Sequence, residues 1–164
     1  MATTERPKGL DSPSTARIIK WMAVVNTALF KATNGHLGST FRVGAGFRKP
    51  VPVLLLDHRG RKSGKTFTTP LLMLRDGERY VVVASQGGLP GNPQWYYNLL
   101  ASPDTTISVK GRRDIPVHAV EATPEERAAL WPRLVDLYAD FDKYQAWTDR
   151  TIPVVVLQPR EELR

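Results

Sequence analysis

The chain has 164 residues, 41% of them hydrophobic and 24% charged, with no cysteine and a formal net charge of +7. That length suits one domain with a single core, and the missing cysteines exclude disulfides, thiolate nucleophiles and cysteine-held metals. Apolar runs such as 51–56 fall far short of the ~20 residues that span a bilayer, and no apolar segment with a cleavage site marks a signal peptide near the start. The positive balance leaves nucleic acid, an anionic membrane and an anionic small molecule as partners. Its cations group as Arg42, Arg48 and Lys49, as Arg59 to Lys65, and as Lys110, Arg112 and Arg113, each at a turn or loop. Nucleic acid would need a continuous basic face, so no nucleic-acid partner is expected.

Residues 1–13, with Pro7, Gly9 and Pro13, read as a flexible arm. A helix over 14–34 follows, opened by Ser14 and closed by Asn34-Gly35, with Ile18, Met22, Val25 and Leu29 at helical spacing beside Trp21 and Phe30. Such a stripe is expected on the core, a lipid surface being the alternative. Strands are expected at 51–57, 66–74, 79–84, 105–109, 115–120 and 152–157. Asp76-Gly77 and Lys110-Gly111 make the two hairpin turns. Asn92 should cap a short helix starting at Pro93 and running to 101. Thr123-Pro124-Glu125-Glu126 is a capping box opening a helix to about 138, which Pro132 should kink or divide, and a last helical segment covers 140–147. Hairpins interleaved with helices, without a βαβ rhythm, argue for an antiparallel α+β barrel over 40–160, closed or half-closed, with flanking helices.

The stretch Arg59-Gly60-Arg61-Lys62-Ser63-Gly64-Lys65 places four cations within seven residues, with no acid between them. It is not a phosphate-binding P-loop, because three residues rather than four separate its glycines and a strand follows in place of a helix. Backbone N–H groups of the turn, with Arg61 and Lys62, still suit phosphate or carboxylate oxygens. Ser85-Gln86-Gly87-Gly88 lets backbone approach a ligand, and Asn92-Pro93 offers a helix N-terminus. Tyr138, Phe141, Tyr144 and Trp147 recur every third residue, wide enough to wall a flat substrate, although packing on the barrel is the commoner use of such a stripe. His36, His58 and His118 show no metal-ligand spacing, so no metal is expected, and no nucleophile elbow or dinucleotide fingerprint is present. A cradle without catalytic machinery points to a borrowed cofactor.

Several of these stretches together resemble the deazaflavin-dependent nitroreductase family. They are Gly60-Arg61-Lys62-Ser63-Gly64, Pro70-Leu71, Arg75-Asp76-Gly77, Val82-Val83-Ala84-Ser85, Asn92-Pro93-x-Trp95-Tyr96-x-Asn98-Leu99, Trp131-Pro132 and Tyr144-Gln145-x-Trp147-Thr148-x-Arg150-x-Ile152-Pro153, in order over about 51–158. The resemblance implies a split β-barrel and the reduced coenzyme F420. It implies hydride transfer to a quinone, nitroaromatic or activated enone in a mainly actinobacterial family. The chain's own features are read as those of a cytoplasmic protein, with peripheral contact at the inner membrane face through the first helix suiting a quinone acceptor. It assigns Arg61, Lys62, Ser63, Lys65 and Pro70 to the coenzyme, together with Ala84, Ser85, Gln86, Gly87, Asn92, Pro93 and Trp95. Tyr138, Phe141 and Tyr144 would face the acceptor, with Ser85 and Tyr138 the proton donors or water-orienting groups. Gln86 replaces a lysine of the nitroreductase branch, Phe67 a basic residue and Phe141 a tyrosine, which weakens the case for bulky nitroimidazoles. The rival readings are an FMN oxidoreductase on the same barrel and a non-catalytic cofactor or lipid carrier. Oligomeric state is not legible.

Overall fold

The computed structural model describes residues 12–41 and 49–161, so the arm before residue 12 and the cations Arg42 and Arg48 lie outside the described residues. Helix α1 (Pro13–Ala32) leads into β1 (Thr40–Phe41), β2 (Val51–Arg59), β3 (Thr66–Leu72), β4 (Leu74–Asp76) and β5 (Arg79–Val83). Then come α2 (Gln94–Ala101), β6 (Asp104–Val109), β7 (Arg112–Glu121), α3 (Pro124–Leu137), α4 (Asp140–Ala146) and β8 (Val154–Pro159). Every strand pairing is antiparallel. The order is β1-β2-β6-β7-β8-β5-β4, with β3 on the other flank of β2. The sheet curls into the half-barrel expected of a split barrel.

Strand alternation explains why β5 and β8 read as unbroken apolar runs. Val82, Val155 and Leu157 face the barrel interior with Leu54, Leu56, Ile107 and Val117, under the Trp95, Tyr96 and Leu99 side of α2. Val81, Val83, Val154 and Val156 face the opposite way, onto Leu130 and Leu134 of α3 and Phe141 of α4. Both faces of these strands are therefore buried, and a period of two puts successive valines into different cores. Each fully buried Val or Leu contributes about 1.5–3 kcal/mol, so this sandwich of helix, sheet and helix holds the site elements rigidly.

Several local expectations hold. Asp76 pairs Arg79 across Gly77, whose φ is 61°, and Val109 pairs Arg112 across Gly111, whose φ is 78°. Thr123 Oγ1 accepts the Glu126 N–H at 3.2 Å, with Pro124 opening α3. Others are corrected. Of the kink or division expected at Pro132 the division does not occur, since α3 runs through it; Pro132 and Ala128 are exposed, so the carbonyl deprived of its donor lies on the solvent side. The run 66–74 breaks at Met73, whose N–H turns to Pro52 O at 3.0 Å. Asn92 does not cap α2: Pro93 is the N-cap residue, without a side-chain bond.

Helix α1 differs most from expectation. Phe30 is buried, but Ile18, Met22, Val25 and Leu29 are exposed, as are Ile19, Trp21 and Val24. The helix is fastened at its C-terminal end, where Lys31 Nζ donates to Thr68 Oγ1 (3.2 Å), Arg113 Nε donates to Asn34 Oδ1 (3.0 Å), and Gly111 N–H donates to Asn34 O (2.9 Å). The stripe read as core-facing therefore belongs to neither hydrophobic cluster of the described residues.

Candidate active site

The turn between β2 and β3 is closed on itself. Gly60 N–H bonds Lys65 O at 2.8 Å, Gly64 N–H bonds Gly60 O at 2.7 Å, and Lys65 N–H bonds Ser63 Oγ at 3.3 Å. The Arg61 N–H is also engaged, by Asn98 Oδ1 at 3.1 Å. Those four amides are taken, which leaves the Lys62 and Ser63 amides and the side chains of the turn for an anion. Among the described residues none of Arg59, Arg61, Lys62 and Lys65 forms an ion pair, and all four are exposed. Lone like charges crowded this way repel one another unless an anion joins them.

Arg61 is held against α2. Its Nη1 donates to Gln94 Oε1 (2.9 Å) and Asn98 Oδ1 (3.3 Å), and its guanidinium lies 5.1 Å from the centre of the Tyr97 ring. Below it, Asn98 Nδ2 reaches Nδ1 of the buried His58 at 2.9 Å, and His58 Nε2 reaches Thr69 Oγ1 at 2.9 Å. Phe67 stacks on the imidazole with ring centres 5.7 Å apart. Burial pushes the His58 pKa down, against the smaller opposing field of Asp57.

The second half of the site is the loop 84–92. Its backbone runs left-handed through Gln86 (φ 45°), Gly87 (62°) and Gly88 (74°). Arg150, from the segment before β8, fastens it: Nε donates to Leu89 O (2.9 Å), Nη2 to Ser85 O (2.8 Å) and Nη1 to Asn92 Oδ1 (2.5 Å), with Ala84 O at 3.3 Å from both terminal nitrogens. Burial pulls the guanidinium below its usual pKa, while Tyr97 acts in the opposite sense. Asn92 is therefore occupied as an acceptor for Arg150 instead of capping α2. Arg150 is itself tied back, since Gln145 Nε2 donates to Arg150 O (2.8 Å) while Gln145 Oε1 accepts from Arg127 Nη2 and the Ile152 N–H (2.9 Å each).

Helix α4 closes against this loop. A Cβ at Gly88 would stand 2.8 Å from Tyr144 O and 3.3 Å from Trp147 Cβ, so the contact requires glycine. Tyr138 Oη and Tyr144 Oη are 2.9 Å apart. Burial first, and the bond to Tyr144 second, raise the Tyr138 pKa well beyond its ordinary value, so its proton stays on. The aromatic residues gather without sharing one helix, because Tyr138 is an extended residue ending α3. Phe141 sits in the core beneath them.

Among the expected site residues, the structure joins Arg61 to α2, gathers Ala84, Ser85 and Asn92 on Arg150, and pairs Tyr138 with Tyr144. The Ser85 hydroxyl makes no capping bond. Ala84, buried at the end of β5, offers its backbone, and Trp95 pins α2 from within the core. Pro70 lies in β3 opposite Leu55. Arg150, Tyr97, Asn98 and His58 are additions. For Arg150 the only signal in the chain was its place in the Trp147-Thr148-x-Arg150-x-Ile152 stretch. Two cavities, of about 290 Å³ beside Tyr96 and Glu121 and about 240 Å³ beneath α1, take in none of Arg61, Ser85 and Tyr138.

The profile of the F420H(2)-dependent quinone reductases matches residues 21–159. The chain belongs to that family. A Mycobacterium tuberculosis protein whose name places it among the F420H(2)-dependent quinone reductases is 60% identical over 119 residues, covering 73% of this chain and 99% of its own. A solved F420-H2 dependent reductase is 36% identical, covering 65% of this chain and 94% of its own, at a TM-score of 0.59. A structure described as a domain-swapped dimer is 30% identical, covering 85% of this chain and 98% of its own, at a TM-score of 0.62. As a member of this family the chain is an oxidoreductase that depends on reduced deazaflavin, and F420 takes precedence over FMN. The residues suit such a coenzyme: among the described residues the cations of the turn are exposed and without acid partners, as an anionic tail requires, and Gly87 has open space around its α-carbon.

Proposed function

We propose that the protein reduces a quinone with F420H2, the coenzyme tail lying on the turn 59–65 and its ring beside the loop 84–92 and the Tyr138–Tyr144 pair. The observation that carries this reading is the concentration of exposed cations in the turn, without an acid partner among the described residues, beside a loop that one half-buried arginine fastens. When bound, the reduced deazaflavin supplies the hydride. The chain's residues supply position and a proton path. Arg61, Lys62 and Lys65 attract the tail, with Ser63 as a further hydroxyl. Gln86 and Gly87 offer polar backbone at the ring, and Asn92 and Pro93 lead it towards α2. The uncapped Ser85 hydroxyl orients a proton donor or a water. Tyr138 keeps its proton across the working range, so it acts as a hydrogen-bond donor to the acceptor and not as a base. Tyr138→Phe should lower turnover on the order of 10²-fold; unchanged turnover would remove it from the reaction.

The acceptor class extends to nitroaromatics and enones, with bulky nitroimidazoles disfavoured by Gln86 and Phe141. Helix α1 suits an anionic membrane surface at the cytoplasmic face, where quinones reside. It carries Arg17, Lys20 and Lys31, no acid, and an exposed stripe around Trp21. No helix among the described residues is long and apolar enough to cross a membrane. The domain-swapped dimer of the 30%-identical structure favours a second use of the same stripe, packing on another copy; light scattering with and without anionic vesicles separates the two. The reaction itself is tested by mixing purified protein with F420H2 and menaquinone and following the return of oxidised deazaflavin absorbance. Quinone-dependent oxidation is expected. Oxidation seen only with FMN and NADPH would overturn the proposal.

A further inference from the structure

The buried imidazole of His58 has no part in the reaction outlined above, yet it lies one side chain away from the turn. Asn98 decides its role. Both the N–H and Nη1 of Arg61 donate to Asn98 Oδ1, at 3.1 and 3.3 Å. That fixes the amide with its oxygen towards the turn and its NH2 towards His58 Nδ1, 2.9 Å away. Nδ1 must then accept, which places the ring proton on Nε2, where it donates to Thr69 Oγ1 at 2.9 Å. A second proton on His58 would set Nδ1–H against the Asn98 NH2, donor facing donor. Asn98 could escape only by flipping, and a flip would turn its NH2 onto the two Arg61 donors.

We propose that His58 is a positioning residue for the anion-binding turn: neutral, it holds Asn98 so that Arg61 is presented to the coenzyme tail, and its protonation breaks the two Asn98 contacts to Arg61, leaving those to Gln94 and Tyr97. This rests on the turn being the grip for that tail. Among the described residues, the charges facing the network are Asp57, on the same strand, and Arg61 itself. The Asp57 carboxylate is engaged by Thr68 Oγ1 (2.5 Å) and Thr106 Oγ1 (3.1 Å). Helix α2 contributes neutral Asn98, and β3 contributes neutral Thr69 and Phe67. Burial, which disfavours the charged ring, keeps the network intact at neutral pH and sets its loss below the usual histidine range.

The test joins nitrogen NMR of the whole protein to calorimetric titration with F420 at about pH 7.5 and about pH 5. The expected result is the Nε2–H tautomer at neutral pH, an Arg61 amide resonance that moves with the His58 midpoint, and an F420 affinity about five- to tenfold weaker in acid. His58→Gln, whose amide can accept and donate as the ring does, should keep the neutral-pH affinity and lose the acid step. Asn98→Asp should raise the His58 midpoint, because a carboxylate welcomes the proton that the amide refuses. An Nδ1–H tautomer, an Arg61 amide indifferent to the His58 titration, or an acid step that survives in His58→Gln would overturn the proposal. Failure of F420 to bind at either pH would instead remove the tail grip, and the NMR midpoints would decide the His58–Asn98–Arg61 linkage alone.

Discussion

The turn 59–65 and the loop 84–92 use arginine in opposite ways. In the turn, cations stand exposed without acids, available for a partner from outside. In the loop, one half-buried guanidinium is surrounded by three backbone carbonyls and Asn92, and its charge organises backbone instead of attracting ligand. A basic composition of 23 lysines and arginines therefore contains two populations. One sets affinity and should respond to salt, while the other sets shape and should not.

The strongest way to break that comparison is to exchange the two roles. Arg150→Met should leave four acceptors without their charged donor, destabilise the fold by about 3 kcal/mol and abolish F420 binding. Denaturant unfolding would show it, and a loss below about 0.5 kcal/mol would place Arg150 with the surface cations. Gly88→Ala comes next. Its Cβ would press on Tyr144 O in a left-handed backbone, so a loss of about 2 kcal/mol is expected, with α4 moved off the loop. A melting temperature equal to the parent's would mean that α4 does not need the close contact. Lys62→Met, on the other side of the comparison, should change stability by less than about 0.5 kcal/mol while flattening the salt dependence of F420 binding.

The smallest expected effect lies outside both regions, at the Asp76 cluster. Hydrogen bonds from Arg133 first and Arg79 second hold the Asp76 carboxyl below its ordinary value of 3.8. Its folded pKa lies below its unfolded one, so the contribution is present above about pH 4 and fades as pH falls through the folded value. Solvent screening keeps it small, and Asp76→Asn should take away that acid dependence while barely changing stability at neutral pH. His58 obeys the same sign for a different reason. Burial favours its neutral form, so its contribution is full above about pH 6.5 and is lost on acidification.

What could be read from the sequence was whatever local chemistry decides. Asp76-Gly77 and Lys110-Gly111 had to turn, Thr123 had to cap, and the valine runs of β5 and β8 had to be buried. The cationic turn was equally visible, since its residues are neighbours in the chain. Arg150 was not, because its acceptors lie some 58–66 residues away and most are carbonyls, which no side-chain pattern reveals. Asn92 looked like a cap for the same reason: its competitor was distant. The amides of the turn looked free because their partners, Lys65 O and Asn98 Oδ1, depend on how the turn folds back and on α2 docking. The stripe of α1 was legible as a stripe, but a helical period says only that a face is apolar and not what covers it.

Calorimetric titration of F420 into the parent protein and into the Arg61→Glu, Lys62→Glu double variant tests the central claim most directly. The account predicts salt-sensitive binding to the parent and an affinity at least about tenfold weaker in the variant, with its fold intact by circular dichroism. Equal affinity in the two proteins at low salt would contradict it.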